Sequence, residues 1–179
     1  RYVVSLPDTL PLEVAQRMHF AGLLEDTDTS LFDNALFGIS SSESATLEPV
    51  QRLILEHSYS ALHTAGLSKM AVRGEAIGVF AGLWVFDDFA STLRSGPSKY
   101  SGYAVTSASM SVCVGRISFM LDMHGPSSSV DTACSSSLVS AQGGILALQR
   151  AECPSALLAG VSIISSLMAT ASIAVAGMT

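Results

Sequence analysis

The residues with the most chemical potential lie in one run, Ser129-Val130-Asp131-Thr132-Ala133-Cys134-Ser135-Ser136-Ser137-Leu138. A short extended stretch there delivers a thiol, Cys134, to the first turn of a helix built from small residues. Free backbone N–H groups and the helix dipole favour negative charge at such a point, so a thiolate is stabilised and the cysteine pKa falls. The serines leave the approach narrow but open, and a sharp strand-to-helix turn exposes the sulfur. Two readings follow from placement alone. Cys134 is a nucleophile, or it is a small buried hydrophobe beside an ordinary serine turn.

The elements that must position this turn are legible in the pattern. Pro49 to Ala65 reads as a helix, with Pro49 suited to its first turn, Val50, Leu53, Ile54, His57, Ala61 and Ala65 on one face, and Gly66 as its stop. Ile77 to Gly82 reads as a strand. Asp87 to Ser101 is loop-like, with Ser95-Gly96-Pro97-Ser98 as its turn. A second helix spans Ser107 to Leu121, with Ser109, Val112, Cys113 and Arg116 along one side. After Gly125-Pro126 the chain is extended from Ser127 to Thr132. A third helix runs from about Cys134 to Arg150, and Leu138, Ala141, Ile145 and Leu148 form its apolar face. Alternating strands and helices of this kind are an α/β signature.

Ser155 to Thr179 carries no charge. Its hydropathy is that of a membrane span, but it divides better into a strand, Ala156 to Ile164, and a small-residue helix, Leu167 to Met178. Strands of a parallel sheet buried on both faces produce the same signal, so no membrane partner is expected.

Composition narrows the function classes. The 179 residues are 49% hydrophobic and 13% charged, with mean hydropathy +0.45. Soluble domains usually carry about 25% charge, so this chain hides more of itself than a free-standing globule does, and disorder is excluded. Fifteen acidic and nine basic residues give a net charge of −6, which leaves no basic stripe for nucleic acid. The cysteines Cys113, Cys134 and Cys153 are odd in number and form no C-x-x-C pair, so neither a disulfide framework nor a thiolate zinc site is indicated. Cysteine usage points to a reducing compartment. Gly-rich phosphate loops are absent, so no nucleotide cofactor is indicated.

The segment Asp131 to Leu138 resembles the active-site motif of β-ketoacyl synthases, in particular the ketosynthase domains of type I polyketide synthases and related type I fatty acid synthases. Other segments match in order. Phe32 to Ser40 resembles FDAAFFGIS, Leu47 to Leu53 resembles MDPQQRL, and Gly78-Val79-Phe80 matches the following strand. Gly115 to Phe119 resembles GRISY, and Leu121-Asp122 with Gly125-Pro126-Ser127 resembles LDLRGPS. Ala159 to Ser162 stands where GGVN is usual, and Ala176-Gly177-Met178 resembles AGML. The likeness covers almost the whole chain from Phe20 onward and is weak before it.

The resemblance implies a thiolase-like layered αβαβα sandwich, of which this chain is the N-terminal half. It implies a decarboxylative Claisen condensation: Cys134 accepts an acyl chain as a thioester, and the carbanion of a malonyl-type extender attacks it. It makes Asp131, Thr132, Ala133, Ser135 and Ser136 the supporting residues of the turn, with the Cys134 N–H in the oxyanion hole. No cofactor is bound directly, because substrates ride on the phosphopantetheine of an acyl carrier protein. The implied partners are that carrier protein, a second copy of the full domain and neighbouring synthase domains, in the cytoplasm or a plastid.

The chain departs from the family in two main respects. The two histidines of HGTGT-like and NxGH-like motifs are not in it, and neither is the opening strand resembling IAIVGMACRFPG. Both ends read as cut, and the fragment alone is expected to be inactive and to fold poorly. Of the histidines present, His57 reads as a core or interface residue, His63 and His124 as surface, and His19 lies outside any such motif. Cys113 and Cys153 read as inert. Asp87 and Asp88, adjacent in an extended segment, are no acid–base pair, and Trp84 and Phe86 read as packing. Gly143-Gly144 interrupts the third helix at about 1 kcal/mol per glycine, offset by close packing or simply tolerated.

Overall fold

The structure, a computed structural model, describes residues 2–3, 10–22, 24–25, 29–84, 106, 109–164 and 167–178. Strands β1 (Tyr2–Val3) and β2 (Phe20–Ala21) pair antiparallel on either side of helix α1 (Leu12–Met18). Two short helices follow, α2 (Asn34–Phe37) and α3 (Ser41–Ser44), each with a polar cap: Asp33 accepts from the Leu36 N–H and Ser40 from the Glu43 N–H. Helix α4 (Pro49–Thr64) begins with Pro49 in its first turn and is closed by Gly66 at φ 80°, a left-handed angle that glycine adopts without a Cβ penalty. After α5 (Lys69–Val72) come β3 (Ile77–Trp84), α6 (Met110–Leu121), β4 (Ser127–Val130), a 3-10 turn (Ala133–Ser135), α7 (Ser136–Gln149), β5 (Ser155–Ser162) and α8 (Leu167–Val175).

Strands β4, β3 and β5 form a parallel sheet in that order, with Gly82 aligned to both Val130 and Gly160. Side chains alternate across a strand, and β3 shows what each face meets. Ile77, Val79, Ala81 and Leu83 enter the main core with Leu55 of α4 and Val114 and Ile117 of α6. Gly78, Phe80, Gly82 and Trp84 turn to the opposite face, where Gly82 and Phe80 lie under α7. The sheet is thus covered by α4 and α6 on one side and α7 on the other. A separate small cluster joins Val14 and Met18 of α1 to Ala171 and Ala174 of α8, and Arg17 donates to the Ala174 carbonyl at 2.7 Å.

Several expectations are corrected. Helix α4 buries Val50, Gln51, Ile54, Leu55, Ser58 and Leu62, so its inner face is rotated by about one residue and His57 is exposed rather than in the core. Aromatic Tyr59 and core residue Leu55 draw the helix that way, because they meet Phe37 and the sheet. Helix α7 buries Ser136, Ser140, Gly144 and Ala147. Its apolar row instead faces outward, with Leu138 75% exposed and Ile145 50% exposed. Only small side chains fit between α7 and a sheet that approaches this closely. Strand β5 is half-exposed rather than buried on both faces, since it is an edge of the described sheet; Leu157 is buried while Leu158 is 45% exposed.

Boundaries moved modestly elsewhere. Strand β3 runs two residues past Gly82, to Trp84, and α6 begins at Met110 with Ser109 before it. The expected loop with its Ser95–Ser98 turn, together with Asp87, Asp88 and Phe86, lies outside the described residues. The uncharged C-terminal segment divides into β5 and α8, and among the described residues no helix is long and apolar enough to cross a membrane.

Candidate active site

Strands β3 and β5 each carry a glycine near the end that points toward α7, and the two glycines, Gly82 and Gly160, are direct partners in the ladder. A Cβ on Gly82 would lie 2.3 Å from the Ser136 carbonyl carbon, and one on Gly160 would lie 2.7 Å from Ser137 Cβ. Neither contact is sterically possible, so these two bare positions let the first turn of α7 settle against the sheet. Two residues further along, Trp84 and Ser162 pair in the same register. Strand periodicity puts them on the same face as the glycines.

The turn that leads into α7 is held by its own polar groups. Asp131 Oδ1 accepts from the Ala133 N–H at 2.9 Å. Ser136, almost fully buried, accepts from the Thr132 N–H at 2.8 Å and donates to the Ala133 carbonyl at 2.7 Å. Ser135 Oγ lies 2.9 Å from both the Thr132 carbonyl and Thr132 Oγ1. Within this brace Ala133 has φ 58°, a left-handed angle that costs a non-glycine residue on the order of 1 kcal/mol or more and persists only where its surroundings enforce it. The sequence-predicted residues Asp131, Thr132, Ala133, Ser135 and Ser136 are therefore brought together as one unit around Cys134.

Cys134 is exposed and sits in the 3-10 turn, two residues before α7 proper. It opens onto a cavity of about 500 Å³. The floor is Gly82 and Gly160 with the start of α7, and the walls are Trp84, Val161, Ser162, Ile173 and Met178. No charged side chain is among these lining residues, so the space beside the thiol suits an uncharged, largely apolar group.

The other thiols differ. Cys113 and Cys153 are buried, and burial pushes the Cys113 thiol up to about 12 against a smaller opposing effect of the Arg116 guanidinium. Both are thus withdrawn from solvent, in contrast to Cys134. Among the described residues none of the histidines lines the Cys134 cavity. His57 borders a groove between α4 and β5, His63 lies beside Tyr59, and His124 is bonded at 3.0 Å to Asp122. Asp122 is held below the usual carboxylate range by its bonds to His124 and then Arg73. Among the described residues no three His, Cys, Asp or Glu side chains are grouped to hold a metal ion.

Residues 6–179 match the family model for the β-ketoacyl synthase N-terminal domain. The chain belongs to the β-ketoacyl synthase family. The match begins earlier than Phe20, so the segment around α1 is part of the family's pattern despite its weaker motifs. Curated relatives include the spectinabilin polyketide synthase system protein NorC of Streptomyces orinoci, 41% identical over 145 residues, which are 81% of this chain and 6% of that protein. The pikromycin polyketide synthase component PikAII of Streptomyces venezuelae is 42% identical over 135 residues, 75% of this chain and 4% of that protein. Among solved structures, the ketosynthase from module 6 of the bacillaene synthase of Bacillus subtilis 168 superposes with TM-score 0.73 at 29% identity, covering 87% of this chain and 26% of the other. The oxazolomycin ketosynthase domain OzmH KS7 of Streptomyces albus JA3453 gives 0.71 at 30% identity, covering 84% and 26%. This ketosynthase chain thus has the thiolase-like fold and spans only a small part of its multidomain relatives.

Sequence reasoning missed several cavity residues. Trp84 was read as loop packing, yet it lines the same space as Cys134. Val161 and Met178 fall in segments matched to the family and Ile173 in the expected small-residue helix, but the sequence assigns none of the three to the site. Gly82 and Gly160 carried a usable signal, since each interrupts an apolar strand of a parallel sheet two residues before its end, where a missing side chain marks close approach.

Proposed function

We propose that Cys134 is the acyl-accepting nucleophile of a polyketide-type ketosynthase. Its thiolate attacks the carbonyl of an acyl thioester on phosphopantetheine, a new Cys134 thioester forms, and the pantetheine thiol leaves with the proton. The Cys134 N–H, in the 3-10 turn ahead of α7, is directed to the developing oxyanion. A malonyl-type extender on an acyl carrier protein then loses CO2, its carbanion attacks the acyl carbon, and the Cys134 thiolate departs. Support for this reading comes chiefly from one observation, an exposed thiol on a braced turn beside a cavity whose described lining is uncharged. The resemblance assigns decarboxylation to two histidines in motifs that these 179 residues do not contain, so the described segment supplies the acyl-transfer half of the cycle. In this reading the acyl carrier protein, a second ketosynthase copy and adjoining synthase domains are the partners, no cofactor is bound directly, and the thiol works in a reducing cytoplasm.

The test is covalent loading. The full-length protein, incubated with an acyl thioester of N-acetylcysteamine, gains one acyl mass on the peptide containing Cys134, and Cys134→Ala gains none. Failure of the wild-type protein to load would favour a ketosynthase-like scaffold that docks a carrier without reacting with it.

A further inference from the structure

We propose that Trp84 is the residue that sets how long an acyl chain Cys134 accepts, an inference that rests on the nucleophile reading above. Trp84 ends β3, on the face that carries Gly82, and its backbone is fixed in the ladder opposite Ser162. The glycine two residues earlier brings the start of α7 down onto the strand. The next side chain on that face therefore stands just past the helix end, bordering the space onto which Cys134 opens. The other large walls, Ile173 and Met178, come from α8 and the turn after it. Methionine is unbranched and yields to a neighbour, whereas an indole on a paired strand is planar, rigid and the largest group available. Of the described lining, Trp84 alone combines bulk with a fixed backbone.

Apolar pockets discriminate by roughly tenfold or more for each methylene they refuse. The experiment compares transfer rates from acetyl, butyryl, hexanoyl and octanoyl N-acetylcysteamine thioesters onto Cys134 in the full-length protein, read by intact-protein mass spectrometry. In Trp84→Leu the octanoyl-to-acetyl rate ratio rises at least about tenfold, and in Trp84→Phe it rises less. Each variant is compared by its own ratio, so a partly folded preparation scales both rates together and leaves the result readable. An octanoyl-to-acetyl ratio within about twofold of wild type in Trp84→Leu overturns the assignment of Trp84 while leaving Cys134 as nucleophile. Absence of loading by every thioester in the wild-type protein overturns the nucleophile reading itself.

Discussion

Replacing Gly82 by alanine is the most exacting perturbation of this site, because it adds one methyl group and no new chemistry. That methyl would stand 2.3 Å from the Ser136 carbonyl carbon and 2.5 Å from both its oxygen and the Ser137 nitrogen. All three are backbone atoms, so no rotamer change relieves the clash. Restoring ordinary contact needs the start of α7 to move away from β3 by about 1 Å, and overpacking of this kind costs about 1–3 kcal/mol. The same movement carries the braced turn and Cys134 with it. A misplacement of about 1 Å can cost on the order of a hundredfold in rate. Gly82→Ala is therefore expected to lose about 1–3 kcal/mol in urea unfolding and, at temperatures where it is fully folded, to load Cys134 about a hundredfold more slowly. The control is Gly115→Ala in the middle of α6, where a Cβ meets nothing within 4 Å and the helix gains about 0.5–1 kcal/mol. A Gly82→Ala protein with wild-type stability and loading rate would show that close contact of α7 with β3 does not position the thiol.

Other predictions concern the groups around that turn. Ser136→Ala removes two hydrogen bonds of a buried hydroxyl, from the Thr132 N–H and to the Ala133 carbonyl; at about 0.5–1.5 kcal/mol each, it should cost about 1–3 kcal/mol in chemical denaturation. Glu43→Gln leaves Arg116, its side chain only 7% exposed, without its counter-charge; a loss of about 3 kcal/mol is expected, with part recovered in the double variant Glu43→Leu/Arg116→Met. Brief alkylation at pH 8 should label Cys134 first, and peptide mapping should find Cys113 and Cys153 modified only on unfolding. Because burial raises the folded Cys113 pKa to about 12 from an ordinary value of 9.0, its contribution to stability is complete below pH 9. It is lost as pH rises toward 12, by up to about 1.4 kcal/mol per pH unit. Comparison with Cys113→Ala across that range isolates this slope.

The parts of this protein that were legible in its sequence are those where local chemistry decides the outcome. Pro49 and Gly66 bracket α4 because one suits a first helical turn and the other accepts φ 80°, and neither depends on distant packing. Asp131 to Ser136 enter as a unit through the family resemblance, and their hydrogen bonds, all within five residues, make that unit local. What was not legible was the face each helix presents. On α7 the leucines and isoleucine repeat at helical spacing and yet point outward, since the sheet admits only serine, glycine and alanine on its side. Burial there is decided by the approach distance between layers, which depends on Gly82, Gly144 and Gly160 together. Gly144 packs closely, since a Cβ there would meet the tip of Leu158 and, at 3.3 Å, the Phe80 ring, whereas a Cβ on Gly143 would stand 3.5 Å from Phe80, an ordinary contact. Periodicity reads His57 as a core or interface residue, and a one-residue rotation of α4 removes it from the core.

The pairing of β3 with β5 has a consequence in time. Residues 77–84 find their partners at 155–162, so the strand carrying Gly160 and Ser162 leaves the ribosome roughly 30 residues after Cys134 does. At synthesis rates of about 5–20 residues per second, the thiol emerges some seconds before the β5 side of its cavity exists, and Ile173 and Met178 follow later still. During that interval the serine brace can form, being local, but the glycine bed under α7 cannot. A nascent chain stalled between Cys134 and Ser155 would present a reactive sulfur while the walls from β5 and α8 are still missing.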